Sequence, residues 1–159
     1  MDESLNDEYW MKLALAEAEI ALEYGETPVG AVIVKEGRVI GRAGNRVETL
    51  KDPTAHAEIL AIGAAAEATG YERLVDTTIY VTLEPCPMCA GAIVLARIPR
   101  LVYGAADPKM GACGSLFDIC RDERLNHRVE VTSGVLEGNC GLMLRDFFRS
   151  LRDRRKNGF

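Results

Sequence analysis

The segment TAHAEIL, residues 54–60, places a histidine and a glutamate at the start of an otherwise apolar run, with one residue between them. The chain has only two histidines, and one of them, His56, lies at the start of an apolar segment where a polar side chain is unusual. An imidazole can bind a metal or exchange protons, and a carboxylate can act as a general acid or base. His56 and Glu58 are therefore candidates for metal binding and proton transfer.

A second candidate lies in LEPCPMC, residues 83–89, where Cys86 and Cys89 are three positions apart. At the start of a helix this spacing brings both sulfurs to one side of the first turn, where the helix dipole favours thiolates. Pro87 suits the first helical turn, because an N–H at that position would have no hydrogen-bond partner within the helix. Alone, the pair is compatible with thioredoxin-like redox chemistry, half of a structural zinc site or chance.

One histidine and two cysteines match the protein ligands of a catalytic zinc site, which leaves the fourth position for water. A structural site would need a fourth protein ligand. The remaining candidates do not pair at a short ligand spacing: Cys113, Cys120, Cys140 and His127. We therefore favour an open zinc site held by His56, Cys86 and Cys89.

Glu58 has two interpretations. As a first-turn acid it would complement the dipole of its helix and take no part in chemistry. Beside three zinc ligands it would instead be a general acid–base that takes a proton from water and delivers it elsewhere. His56 and Glu58 lie about 200° apart around a helix, so only a position in the first turn lets both reach one site. We favour the acid–base role.

The elements that would position these residues alternate between helix and strand. Periodicity predicts an amphipathic helix over residues 7–23, with Leu13 and Ile20 toward the core. A hairpin follows, with strands over 29–34 and from Arg38. After a polar loop, Thr54 is the predicted cap of a helix ending near residue 68. The later predictions are a strand over 77–83, a helix over 87–96, the short strand LVYGA, a glycine-rich loop over 107–114, an optional helix, a strand within VEVTSGV and a helix over 140–156.

This order predicts an α/β protein, a three-layer α/β/α sandwich with a central mixed five-stranded sheet. The hairpin would be an antiparallel edge pair, and strands joined through helices would be parallel. The two candidate helices would then begin at one edge of the sheet, where α/β proteins gather their sites. The chain has no linker or repeat, so we expect one domain over residues 1–159.

The charge is unevenly spread along the chain. The net charge of −5 argues against non-specific nucleic-acid binding. Residues 1–26 hold eight acids and one base, whereas residues 145–159 hold six bases and two acids. The C-terminal segment is therefore a local basic surface in an acidic chain.

Cysteine usage and hydropathy indicate the compartment. Five cysteines is an odd number, and the acidic start, MDESLNDEYW, does not match a secretory signal. We expect a cytoplasmic protein with reduced thiols. A membrane span is not expected, because no apolar run reaches about 18 residues.

The combination of HAE with PCPMC matches the H-x-E…P-C-x-x-C signature of zinc-dependent nucleobase deaminases. The chain resembles this superfamily along nearly its whole length, and it is most similar to the bacterial tRNA adenosine deaminases. The resemblance implies a cytidine-deaminase-like fold. It is carried by PVGAVIV, DPTAHAEI, YVTLEPCPMCAGAI, GAADPKMGACGSL, NHRVEVTSG and LRDFFR.

The resemblance implies hydrolytic deamination of adenosine to inosine at the wobble position, 34, of a tRNA anticodon. One Zn²⁺ per subunit would be held by His56, Cys86 and Cys89. Glu58 would deprotonate the water, protonate ring nitrogen N1 and later protonate the departing ammonia. A homodimer is also implied, with the apolar AGAIVLARI segment after Cys89 as a candidate interface or core element.

The resemblance also suggests substrate contacts, in which Asp107 and Lys109 would contact the ribose and phosphates of the anticodon loop. Asn45 would hydrogen-bond the flipped base, and the turn at Glu84 would line the same edge. Without the resemblance, a solvated loop would explain Asp107 and Lys109. A core position would explain an aromatic residue of the last helix, and a solvated helix end would explain its basic residues. The full set of predicted substrate-binding residues is Asn45, Glu84, Asp107, Lys109, Phe148 and Arg149.

Two alternatives remain. The first is a free-base or nucleoside deaminase acting on guanine or cytosine, which the blocks DPKMGACGSL, NHRVEV and LRDFFR disfavour. The second is a non-catalytic, zinc-stabilised RNA-binding module, which would not need an uncoordinated carboxylate at Glu58. A nucleotide cofactor is not expected, because the chain has neither a P-loop nor a G-x-G-x-x-G motif.

Overall fold

The computed structural model describes residues 3–158, and the regular elements in that range alternate much as predicted. An additional short helix interrupts the polar loop after the hairpin, and the optional helix before the last strand does not form. The last helix begins three residues earlier than expected. The elements are α1 (Glu3–Glu23), β1 (Gly30–Lys35), β2 (Arg38–Gly44), α2 (Val47–Leu50), α3 (Ala57–Thr69), β3 (Thr77–Leu83), α4 (Pro87–Leu95), β4 (Arg100–Ala105), β5 (Glu130–Thr132) and α5 (Glu137–Lys156).

The five strands form one mixed sheet in the order β2-β1-β3-β4-β5. Strand β1 pairs antiparallel with both β2 and β3, whereas β3, β4 and β5 are mutually parallel. The hairpin turn at Glu36 and Gly37 has positive φ at both residues, which matches the right-handed twist of paired strands. The predicted mixed five-stranded sheet, with its antiparallel hairpin and parallel later strands, is confirmed.

Side chains alternate between the two faces of the sheet. Ala31 and Ile33 of β1 join a core with helices α3 and α4, whereas Val32 and Val34 join a core with α1. Cys140 of α5 packs into the core on the α1 side. This period-two alternation buries both faces and produces the predicted three layers.

Helix α1 approaches the sheet through small residues. Its buried stripe includes Met11, Ala14 and Ala18, while Ile20 is 46% exposed, so the prediction that Ile20 faces the core is wrong. A side chain added at Gly30 of β1 would overlap the carbonyl oxygen of Ala14. Larger side chains than alanine cannot occupy positions 14 and 18, because the helix lies so close to the strand backbone there.

A largely buried ion pair fastens the start of α1 to the start of β4, at the end of the sheet opposite the carboxyl ends of the parallel strands. Asp7 accepts two hydrogen bonds of 2.8 Å from Arg100, at the start of β4, and one of 3.0 Å from Tyr80. Burial alone would raise the pKa of Asp7, but these hydrogen bonds outweigh it and hold the pKa below its usual range. None of the helices described has an apolar stretch long enough to cross a bilayer.

Candidate active site

Two helix N-termini meet at the end of the sheet where the parallel strands finish. His56 is the residue immediately before α3, and Cys86 has the same position before α4, both with extended backbone. Side chains at such positions leave from the end of the helix rather than from its flank. The prediction that Thr54 caps α3 is wrong, because Thr54 bonds to Asp52 in the preceding turn.

The predicted metal ligands converge. The Nδ1 atom of His56 lies 3.6 Å from the Sγ atom of Cys86 and 3.4 Å from the Sγ atom of Cys89. Tetrahedral zinc with ordinary Zn–N and Zn–S bonds separates such a nitrogen and sulfur by about 3.6 Å. These three residues form the one group of histidine, cysteine and acidic ligands found within residues 3–158 that could hold a metal ion.

The two thiols differ in how readily they ionise, whereas the sequence predicted that the helix dipole would favour both thiolates. The hydrogen bond from Cys89, together with His56, lowers the pKa of the Cys86 thiol to about 4. The pKa of the Cys89 thiol is raised, because that thiol donates to the Cys86 sulfur and is buried. Cys86 is thus a thiolate at neutral pH, which is the form that binds metals.

Glu58 lies in the first turn of α3 and is only 4% exposed, yet it lines the same cleft as His56 and Cys86. Burial raises the pKa of Glu58 to about 7. A carboxyl group that titrates near neutrality can both take up and return a proton at physiological pH. The arrangement therefore brings a group able to hold a metal ion together with a carboxyl group whose pKa suits a general acid–base.

Asn45 secures the turn that carries His56 and Glu58. Its Oδ1 atom accepts a 2.8 Å hydrogen bond from the backbone N–H of Ala57, the residue between them. This bond satisfies one of the free N–H groups at the start of α3. Asn45 also lines the cleft, so its amide Nδ2 group is the part left to donate to a bound molecule.

The cleft has a volume of about 330 Å³ and two walls. One wall is the segment around Asn45 and Val47, and the other is formed by Asp107 and Met110. The volume is within the usual range for sites that hold small molecules. The predicted residues His56, Glu58, Cys86, Asn45, Glu84 and Asp107 all line this cleft.

A larger groove of about 760 Å³ adjoins the cleft and shares Asp107 and Met110 with it. Phe148, which is 46% exposed, lies in this groove. Five cationic side chains line it: Lys109, Arg145, Arg149, Arg152 and Arg155. We call this surface the basic groove.

A family model described as MafB19-like deaminase matches residues 5–152 of the chain. The tRNA-specific adenosine deaminase of Bacillus subtilis (strain 168) is 54% identical over 150 residues, which cover 94% of this chain and 93% of that protein. The chain belongs to the tRNA-specific adenosine deaminases.

Two solved structures are also similar to this deaminase. One comes from studies of A-to-I editing by tRNA:A34 deaminases at the wobble position of transfer RNA; it is 51% identical, has a TM-score of 0.83 and covers 86% of this chain and 99% of that chain. The other is the guanine deaminase of Bacillus subtilis, which is 44% identical, has a TM-score of 0.60 and covers 62% and 64% of the two chains.

Sequence reasoning missed several residues of this deaminase site. Met110, Thr27 and Leu83 line both the cleft and the groove, and no pattern in the sequence marks them. Arg145 was missed as a groove residue although its spacing from Arg149 follows the helical repeat. The basic C-terminal segment does not form one continuous surface, since Arg155 lines the groove and Arg154 lines a different pocket.

The histidine and cysteines outside the metal-ligand group make contacts that stabilise the fold of this deaminase. The Nε2 atom of His127 donates to the carbonyl oxygen of Ile98 at 2.7 Å, as expected for a residue that supports a loop. Cys113, Cys120 and Cys140 are buried and belong to the apolar cores. None of these four residues belongs to the metal-ligand group found within the described part of the chain.

Proposed function

We propose that this enzyme hydrolyses adenosine to inosine at wobble position 34 of a tRNA anticodon, with release of ammonia. The observation that carries the proposal is the junction of the two surfaces. The buried carboxyl group of Glu58 and the metal-ligand group lie in a cleft whose volume suits one nucleobase. This cleft opens into the basic groove. A polynucleotide loop with one flipped base fits that combination.

The donor set fits one zinc ion, which His56, Cys86 and Cys89 would hold. When bound, zinc supplies a Lewis acid that makes a water molecule far more acidic than in bulk solvent. The nitrogen and sulfur donors support this assignment over magnesium or calcium, which prefer oxygen ligands.

Glu58 would carry the protons of the reaction. It takes a proton from the attacking water and gives it to N1 of the base, while the oxygen of that water adds to C6. Glu58 would then take the remaining water proton from the C6 hydroxyl and give it to the amino group, which leaves as ammonia while the C6 oxygen remains in inosine. Its burial keeps the carboxyl pKa near neutrality, which suits a group that must accept and donate in turn.

Several side chains would hold the RNA around the reacting base. Asn45 would donate from Nδ2 to the flipped base, since its Oδ1 already accepts from Ala57. Asp107 and Lys109 would contact ribose and phosphate beside the cleft. On α5, Phe148 would stack on a loop base and Arg149 would pair with phosphate.

We further propose that the enzyme is a cytoplasmic homodimer, with the whole chain acting as one domain. A tRNA substrate supports the location. The exposed apolar side chains of α4 support the dimer: Leu95 is 77% exposed, and Met88, two turns earlier, lies on the same helix face. A self-complementary surface built around this face would bury both residues. Light scattering with Leu95→Lys should report a monomer, and an unchanged dimer would contradict the interface.

The central experiment incubates zinc-loaded protein with a transcribed tRNA that has adenosine at position 34 and reads inosine by sequencing. A matched tRNA in which the only anticodon-loop adenosine lies outside position 34 is the specificity control. Free adenosine, guanine and cytosine are assayed in parallel. Inosine at position 34 alone supports the proposal, whereas turnover of guanine with unchanged tRNA would assign this chain the guanine deaminase activity instead.

Glu58→Ala is the matched catalytic control. It removes the proton carrier but none of the three metal ligands, so zinc content should remain near one per chain while inosine formation falls by about 1,000-fold or more. Activity near that of the wild type would exclude the role assigned to Glu58.

A further inference from the structure

Glu84 links the end of β3 to the turn that carries Cys86, and it is only 2% exposed. A carboxylate removed from water is costly unless hydrogen bonds satisfy its oxygens. Among the residues described, Glu84 takes part in no ion pair with lysine or arginine. Its role therefore depends on the groups that donate to it.

All four hydrogen bonds to its carboxylate come from one loop, residues 106–115, which follows β4. The Oε1 atom accepts from the backbone N–H of Asp107 at 3.0 Å and from the hydroxyl of Ser115 at 2.5 Å. The Oε2 atom accepts from the backbone N–H groups of Cys113 and Ser115, each at 3.0 Å. Both carboxylate oxygens are thus engaged within the protein.

The loop is shaped to receive this carboxylate. A side chain added at Gly111 would overlap the carboxyl group of Glu84, so glycine is required by close approach. The next residue, Ala112, donates its N–H to the carbonyl oxygen of Pro85 at 2.9 Å. The loop and the turn before Cys86 are therefore joined by side-chain and backbone bonds together.

The same loop forms one wall of the cleft through Asp107 and Met110 and extends into the basic groove through Lys109. We propose that Glu84 is a positioning residue, which preforms this wall for the anticodon loop rather than contacting the RNA. The identity of the bound molecule rests on the proposed function. This role differs from the direct substrate contact suggested by the sequence, because both oxygens of Glu84 already accept from the loop.

A positioning role has a kinetic signature. If the loop is correctly placed in only a fraction of free molecules, apparent affinity falls by that fraction, while bound complexes react normally. Glu84→Gln places an amide N–H₂ group opposite backbone N–H donors and should open the loop. We expect KM for tRNA to rise about tenfold, with kcat per bound zinc within about threefold of wild type.

Two further variants test the loop without changing the carboxylate. Gly111→Ala displaces Glu84 by steric overlap and should reproduce the rise in KM. Ser115→Ala removes only the hydroxyl bond and should raise KM by about threefold.

Asp7→Asn is the control for lost stability. Asp7 is also a buried, hydrogen-bonded carboxylate, but it pairs with Arg100 at the start of β4, far from the cleft. It should lower the melting temperature and leave KM unchanged.

The experiment measures kcat and KM on an anticodon stem-loop, zinc content, and hydrogen exchange of the loop amides in the free enzyme. Faster exchange at Asp107, Cys113 and Ser115, with raised KM and retained kcat, supports the proposal. A loss of kcat at unchanged KM and unchanged exchange would overturn it in favour of direct contact with the reacting base. If Glu84→Gln does not fold, Gly111→Ala and Ser115→Ala decide by the same criteria.

The two levels of the proposal fail separately. If the wild type forms no inosine in tRNA, the proposed function is wrong, while hydrogen exchange still tests whether Glu84 orders the loop. If the wild type is active and exchange in Glu84→Gln matches the wild type, the positioning role is wrong and the function stands.

Discussion

Arg154 and Arg155 are adjacent on α5 and carry the same charge, but they line different surfaces. Arg155 lies in the basic groove, whereas Arg154 lines a pocket formed with Phe147 and Leu22. Replacing either with glutamine changes the net charge of the chain equally. If the groove binds the RNA, only Arg155→Gln should change how binding depends on salt.

The magnitude follows from the number of cations in the groove. Each phosphate of a single strand that is neutralised contributes about 0.7 to the slope of log K against log salt. Five groove cations therefore give a slope of about −3.5, and affinity falls about 100-fold between about 50 and 200 mM salt. Arg155→Gln should reduce the slope to about −2.8, while Arg154→Gln should leave it near −3.5.

Fluorescence anisotropy with a labelled anticodon stem-loop measures these slopes, and the Glu58→Ala background prevents turnover during the titration. The pair of neighbouring variants removes general charge effects from the comparison. Equal slopes for Arg154→Gln and Arg155→Gln, or a flat salt dependence in the parent protein, would refute the assignment of the groove to RNA.

Three further predictions concern the metal, the buried ion pair and the glycine contacts. Removing zinc with a chelator should abolish inosine formation, and adding zinc back should restore it, measured with zinc content; activity that survives complete removal would contradict the metal assignment. Asp7→Asn should lower the free energy of unfolding in urea by about 2–3 kcal/mol at pH 7. Because the folded-state pKa of Asp7 is lowered, its contribution is complete above about pH 4 and is lost as pH falls further, so the two proteins should converge there; a constant difference would argue against this linkage. Gly30→Ala should destabilise the fold because its methyl group overlaps the backbone of α1, whereas Gly63→Ala, in open space on α3, should stabilise it by up to about 1 kcal/mol; equal thermal shifts would contradict the packing argument.

The candidate metal site was predictable from sequence because its ligands come in two pairs of closely spaced residues. His56 and Glu58 lie within one turn, Cys86 and Cys89 within another, and each pair begins a helix after recognisable loop residues. Strand–helix alternation then places both turns at one edge of the sheet. The prediction that His56, Cys86 and Cys89 come together needed only these short-range signals and one topological rule.

The packing of α1 and the role of Glu84 were not predictable in this way. Hydrophobicity favours Ile20 for the core, but the helix lies so near the strands that Ala14 and Ala18 occupy the contact instead. Glu84 receives its hydrogen bonds from residues 23 to 31 positions away along the chain. Neither close backbone approach nor long-range hydrogen bonding leaves a periodic signal in one sequence.

Helix α5 is packed against the rest of the protein mainly through its first half, so its last turns are the part that can respond to a polyanion. Its buried side chains are Cys140 and Leu144, whereas the cations that follow are exposed along the next three turns. Like charges at helical spacing repel one another and weaken a helix. A bound phosphate backbone would neutralise that repulsion, so the nucleic acid would act as a counter-ion that stabilises the last turns of the helix that binds it.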